Sequence, residues 1–242
     1  MLSIFDEIPA RERVIVALDC SRDEALSLSE ALRGHATWLK VGMTLYYSCG
    51  PSIVSELREK GFKVFLDLKL HDIPHQVRGA AEAAARSGAD MLTMHVAGGP
   101  EMLEAGRAGA AAGSAERGED GIVTLGITVL TSMDASALSS VGVPRAPEEQ
   151  VALLADVAKQ AGISGVVASP REAAALRSIL GEYAYIVTPG VRPEGSEKGD
   201  QSRVSTPSEA FRAGASHIVV GRPITQAKDP VQAFERICGE IA

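Results

Sequence analysis

Lys63-Val-Phe-Leu-Asp-Leu-Lys-Leu-His-Asp-Ile-Pro-His-Gln-Val-Arg-Gly-Ala-Ala-Glu-Ala-Ala-Ala-Arg-Ser-Gly-Ala-Asp-Met-Leu-Thr-Met-His-Val96 holds the pattern that decides the fold. Residues 63–69 are a short, mostly apolar run of strand character. Residues 74–87 are an Ala-rich stretch of helical period opened by Pro74, Gly88 marks its stop, and residues 91–96 start the next strand-like run. Strand, helix and strand within roughly thirty residues make a βαβ unit, whose two strands lie parallel.

Working outward, the same alternation recurs along the whole chain. Strand-like runs occupy residues 13–19, 38–42, 63–69, 91–96, 122–130, 165–169, 184–190 and 217–222. Helical stretches occupy residues 23–33, 51–60, 74–87, 100–112, 147–160, 170–180, 207–213 and 229–241, with Gly61, Gly88, Gly162 and Gly181 at stops. Most runs are apolar on both faces, as strands of a covered parallel sheet should be. Eight βα units with right-handed crossovers predict an α/β fold, a (β/α)8 TIM barrel spanning residues 1–242 as a single domain. An open doubly wound sheet would call for a glycine-rich turn after the first strand. Here Asp19 is followed by Cys20, Ser21, Arg22 and Asp23. Residues 113–121 read as irregular, and the polar loop 190–204, with Pro193, Gly195 and Gly199, reads as a lid after the seventh strand.

The bulk chemistry excludes several function classes. Of the 242 residues 45% are hydrophobic, 23% charged and only 4% aromatic, a globular composition with an aliphatic core. A net charge of −7 with scattered basic residues argues against nucleic-acid binding. Apolar stretches such as 14–18 and 122–130 are too short to span a membrane and no leader pattern opens the chain, so a cytoplasmic location is expected. Cys20, Cys49 and Cys238 have no Cys-x-x-Cys spacing, which speaks against a disulfide framework or structural zinc.

In such a barrel chemistry belongs at the C-terminal strand ends, and four of these carry charge: Asp19, Lys40, the Asp67 and Lys69 pair, and Arg222. Asp67 and Lys69 are two residues apart and share a face opposite Leu66, Leu68 and Leu70. A buried ion pair plugging the barrel is the plain alternative, but such a pair contributes little stability after desolvation. Asp72 by itself reads as the N-cap of the helix near Pro74. His71 and His75 are spaced four apart, yet no further ligand is evident and a metal site is not expected. Near strands seven and eight, Thr188-Pro-Gly-Val-Arg192, Gln201 and Gly221-Arg222 suit a phosphate, through backbone N–H groups and guanidinium charge. Thr131 and Ser132 offer hydroxyls at the rim, or a simple turn.

Phe65-Leu-Asp-Leu-Lys-Leu-His-Asp-Ile-Pro74 closely resembles the signature of orotidine 5′-phosphate decarboxylases. Val16-Ala-Leu-Asp19, Leu39-Lys-Val-Gly42, His95-Val-Ala-Gly-Gly99, Thr128-Val-Leu-Thr-Ser132, Val187-Thr-Pro-Gly-Val-Arg192 and Val219-Val-Gly-Arg222 support the likeness from the first strand to the last. The Asp-x-Lys-x-x-Asp core is shared with a wider superfamily, so the extended string carries the assignment. The resemblance implies a homodimer in which Lys40, Asp67 and Lys69 line a site joined by Asp72 of the neighbouring subunit. It further implies that Asp19 and Lys40 hold the ribose, Thr131 meets the pyrimidine, and Arg192, Gln201, Gly221 and Arg222 gather the phosphate. The family usually has Thr where this chain has Gln76, a longer side chain, so that contact is not carried over.

The expected reaction converts orotidine 5′-phosphate to uridine 5′-phosphate (UMP) and CO2, the last step of UMP synthesis, with no cofactor and no metal. Loss of CO2 from C6 leaves an sp2 carbanion outside the ring π-system, so protein charges must stabilise it. Lys69 is the expected electrostatic stabiliser and proton donor, held by Asp67 and Asp72 with Lys40 between the carboxylates. Two rivals stand beside this reading. One is a Mg2+-dependent decarboxylase or aldolase acting on a sugar phosphate, and the other a catalytically silent barrel that binds a phosphorylated ligand.

Overall fold

In the computed structural model, which describes residues 3–193 and 205–241, eight strands pair in chain order and the last returns to the first. They are β1 (Val14–Ala17), β2 (Trp38–Gly42), β3 (Lys63–Leu70), β4 (Met91–His95), β5 (Val123–Ile127), β6 (Gly165–Val167), β7 (Tyr185–Thr188) and β8 (His217–Val220). Every pairing is parallel, from Ile15 opposite Trp38 to Val14 opposite Ile218, so the sheet closes into the expected barrel. The runs are apolar on both faces because each face is covered. Ile15, Trp38, Phe65, Met91, Leu125, Val187 and Val219 fill the interior, while Val14, Val16, Leu39, Val64, Leu66, Leu92 and Val220 pack against the helices.

The outer layer comprises α1 (Arg22–Leu32), α2 (Met43–Cys49), α3 (Ser52–Glu59), α4 (Pro74–Arg86), α5 (Pro100–Ala115), α6 (Ala135–Ser140), α7 (Pro147–Gln160), α8 (Ala173–Leu180), α9 (Pro207–Arg212), α10 (Arg222–Thr225) and α11 (Pro230–Gly239). Five of them begin on proline, whose missing N–H is no loss at a first helical position. Pro51 instead occupies the N-cap of α3, and Pro170 opens a 3-10 turn ahead of α8.

Three short helices are too brief to leave a periodic signature: α2 and α10, which follow β2 and β8 almost directly, and α6, which follows β5 after residues 128–134. Residues 113–115, read from sequence as irregular, continue α5. The glycines that obscured the helix there permit close packing on α4. A Cβ at Gly109 would lie 2.0 Å from the Arg78 carbonyl oxygen, and one at Gly113 2.2 Å from that of Glu82.

The lower end of the barrel is closed by an N-terminal 3-10 turn, Ile4–Glu7, held by a Ser3 and Asp6 capping box. Its Phe5 packs edge-on against Tyr185, with ring centroids 4.7 Å apart. Buried Arg13 donates to the carbonyls of Ala215 and Ser216 and to Asp6. Burial among these rings pushes His217 down to about 3. The lower end is thus sealed, leaving the C-terminal end open to a ligand.

Candidate active site

The site forms where the inward rows of four neighbouring strands change from apolar to polar. Ile15 and Ala17 of β1 lead to Asp19, Trp38 of β2 to Lys40, Phe65 of β3 to Asp67, and Met91 of β4 to Thr93 and His95. The two-residue period that made the lower interior apolar therefore delivers charge to the mouth.

Asp67 is the hub. Its Oδ2 accepts from Lys69 Nζ at 2.8 Å and lies 3.8 Å from Lys40 Nζ, while its Oδ1 accepts from the Thr93 hydroxyl at 2.9 Å. Lys40 also donates to Asp19 Oδ1 at 2.9 Å, giving the order Asp19, Lys40, Asp67, Lys69 with alternating sign. Burial raises the Asp67 carboxyl, but attraction to Lys40 and Lys69 and the hydrogen bonds from Lys69 and Thr93 outweigh it and hold the group below the usual carboxylate range. Gly42 leaves room for the array, since a Cβ there would stand 3.0 Å from Asp19 Oδ1 and 3.1 Å from Lys40 Nζ.

Two hollows share Lys40, Asp67, Pro189 and Val219. The larger, about 710 Å3, also reaches Asp19, Gly190, Arg192, Gly221 and Arg222. The smaller, about 180 Å3, is more apolar, with Ile127, Val129, Leu130 and Thr131 facing Lys69. A polar, cation-bearing chamber thus opens into an apolar slot at the charged array. Their sizes suit a ligand with a charged end and a flat apolar end.

The structure brings together Asp19, Lys40, Asp67, Lys69, Thr131, Arg192, Gly221 and Arg222 around these hollows. Gln201 lies outside the described residues, as does most of the 190–204 loop. Asp72 is exposed, and its Oδ1 accepts from the N–H of Ile73 at 2.6 Å. The N-cap of α4 is Ile73, so the capping role read for Asp72 is not observed: its carboxylate is occupied by the adjacent amide and makes no cap bond.

His71 and His75 are both exposed. The His71 ring lies beside His95, with centroids 5.4 Å apart, and burial followed by the charges of His71 and Lys69 lowers the His95 pKa against the pull of Asp67. Among the described residues, no three His, Cys, Asp or Glu side chains converge to hold a metal ion.

Thr93 and Gly42 were missed as site residues. The available signal for Thr93 was a polar side chain in the inward register of the apolar run 91–94, and for Gly42 its place two residues beyond Lys40.

Residues 12–237 match the sequence profile of the Orotidine 5′-phosphate decarboxylase / HUMPS family. An orotidine 5′-phosphate decarboxylase of Moorella thermoacetica is 49% identical over 234 residues, covering 96% of this chain and 93% of the relative. One of Synechococcus is 45% identical over 243 residues, covering 100% of this chain and 99% of the relative. The crystal structure of orotidine 5′-phosphate decarboxylase from Lactobacillus acidophilus superposes with a TM-score of 0.85 at 38% identity, covering 95% of this chain and 99% of that one. With a profile match from the first strand to the last helix and relatives of nearly equal length, the chain belongs to the orotidine 5′-phosphate decarboxylase / HUMPS family.

Proposed function

We propose that this chain decarboxylates orotidine 5′-phosphate to UMP and CO2 in pyrimidine synthesis, as a single barrel domain that needs no cofactor. The observation that carries the reading is the alternating array of Asp19, Lys40, Asp67 and Lys69 at the junction of an apolar slot and a cationic chamber. The pyrimidine would enter the slot beside Lys69 and Thr131. The ribose would sit at Asp19 and Lys40, and the phosphate would meet Gly221, Arg222, Arg192 and Gln201.

Breaking the C6–carboxylate bond leaves an electron pair in the ring plane at C6. Lys69 stabilises that charge and then transfers a proton to it, while Asp67, 2.8 Å from Nζ, orients the ammonium. Phosphate contacts far from C6 supply binding energy for holding the reactive geometry.

Asp72 completes the array from the neighbouring subunit of a homodimer. In favour of this, residues 71–76 are exposed, and Ile73 at 62%, Tyr47 at 73% and Met43 at 46% leave an apolar rim uncovered beside the β2 and β3 ends. A Mg2+-dependent sugar-phosphate reaction fits less well, because Asp19 and Asp67 each face a lysine ammonium where a cation would need to bind. A silent binding barrel gives no reason for retaining so complete a charge array. Cytoplasmic residence accords with a small-molecule biosynthetic role, and no helix among the described residues is long and apolar enough to cross a membrane.

The test is absorbance-monitored conversion of orotidine 5′-phosphate in excess EDTA, comparing wild type with Lys69→Ala. Rapid wild-type turnover that falls by at least about a thousandfold in the variant supports both reaction and donor. No turnover by folded wild type refutes the assignment, and turnover surviving in the variant refutes the role of Lys69.

A further inference from the structure

The pairing of β3 with β4 breaks at the array. Phe65 pairs with Met91 and Leu66 with Leu92, but the next pair is Leu70 with Met94, so residues 67–69 stand opposite Thr93 alone. Within this bulge Lys69 adopts φ 52°, the one non-glycine residue with positive φ among those described. Its amide donates to the Thr93 hydroxyl oxygen at 2.9 Å, and the same hydroxyl donates to Asp67 Oδ1 at 2.9 Å. Thr93 is wholly buried.

We propose that Thr93 is a positioning residue for decarboxylation, its hydroxyl locking the bulge that aims Lys69 and fixing the Asp67 carboxylate that holds it. The inference rests on the reading of Lys69 as proton donor. One atom performs both tasks because a hydroxyl accepts and donates at once. Accepting the Lys69 N–H satisfies a backbone donor that the broken ladder leaves exposed to loss, in a left-handed conformation that a lysine side chain disfavours. Donating to Oδ1 leaves Oδ2 for Lys69 and Lys40, so the carboxylate cannot swing away from the ammonium. The charged and titratable groups around Asp67 are Lys40 from β2, Lys69 from β3 and His95 from β4, with Asp19 beyond Lys40.

The experiment compares Thr93→Val, which keeps the shape and removes the hydroxyl, with Thr93→Ser, which restores it. In Thr93→Val, kcat should fall on the order of a hundredfold, the scale of a misplaced reacting group, while KM stays within about threefold. Thr93→Ser should stay within about threefold of wild type in both constants. Amide hydrogen exchange at Lys69 gives a readout independent of substrate: protection lost in Thr93→Val and kept in Thr93→Ser is expected. Wild-type kcat with retained Lys69 protection in Thr93→Val overturns the proposal, as does Thr93→Ser failing equally, which would assign the effect to the methyl group. Wild type inactive on orotidine 5′-phosphate instead overturns the decarboxylase reading, and the exchange data still judge Thr93.

Discussion

Asp67→Asn preserves the shape of the hub and removes its charge, so it isolates the electrostatics of the array. The carboxylate stands 2.8 Å from Lys69 Nζ and 3.8 Å from Lys40 Nζ. At an effective dielectric constant of about 20, those two attractions amount to roughly 6 and 4 kcal/mol before desolvation. Desolvating a side chain only 13% exposed opposes them by several kcal/mol. Attraction wins, because Asp67 titrates below the usual carboxylate range, and we expect a net loss of about 1–3 kcal/mol in the variant at neutral pH.

For a chain of this size each kcal/mol shifts Tm by about 2–4 °C, so Asp67→Asn should melt roughly 2–12 °C below wild type at pH 7. The sign with pH follows from linkage. A carboxyl whose folded pKa is depressed contributes fully above its unfolded value near about 4, and the contribution disappears as pH falls through the folded value. Thermal melts of both proteins at intervals from neutral pH to below about pH 4 should therefore show the gap narrowing in acid. A gap independent of pH, or a variant that melts above wild type at neutral pH, would refute this account of the array.

Two further outcomes are expected. Mixing Lys69→Ala and Asp72→Ala subunits under exchanging conditions should recover about a quarter of wild-type activity, since half the dimers are hybrid and each hybrid carries one intact site; recovery near zero, with subunit exchange verified by mass spectrometry, would place Asp72 in its own chain's site or outside catalysis. Arg222→Ala should weaken binding of UMP by about 10–150-fold, the loss of a hydrogen bond to a charged group, and leave uridine binding nearly unchanged; calorimetric titration showing equal losses for both ligands would remove Arg222 from the phosphate contacts.

Much of this architecture was legible because a parallel barrel imposes a simple code on its sequence. Both-face burial makes strands such as Val14–Ala17 continuously apolar, and proline starts punctuate the helices, as at Pro74 and Pro147. The same two-residue period predicted that Asp67 and Lys69 would share a face, and their side chains do meet, although Lys69 gets there through a bulge with φ 52° and not by regular alternation. Asp19, two residues beyond β1, and Lys40, within β2, were legible as partners because β1 and β2, neighbours in sequence, also pair in space.

What sequence by itself determined, then, was the order of elements, the closed topology and the end of the barrel that bears charge, all consequences of short-range periodicity and chain-order pairing. Only the tertiary structure decided the rest, because it depends on distances between strands and helices that no single segment encodes. The break in register between β3 and β4, the twin contacts of Thr93 and the room left at Gly42 arise from neighbouring strands meeting. The extension of α5 through Gly113 reflects the close approach of α4, which reverses the usual penalty for glycine inside a helix. Asp72 makes the same point from the other side: its position beside Pro74 in sequence implied a cap, but the fold gives its carboxylate to the Ile73 amide and leaves it exposed at the rim.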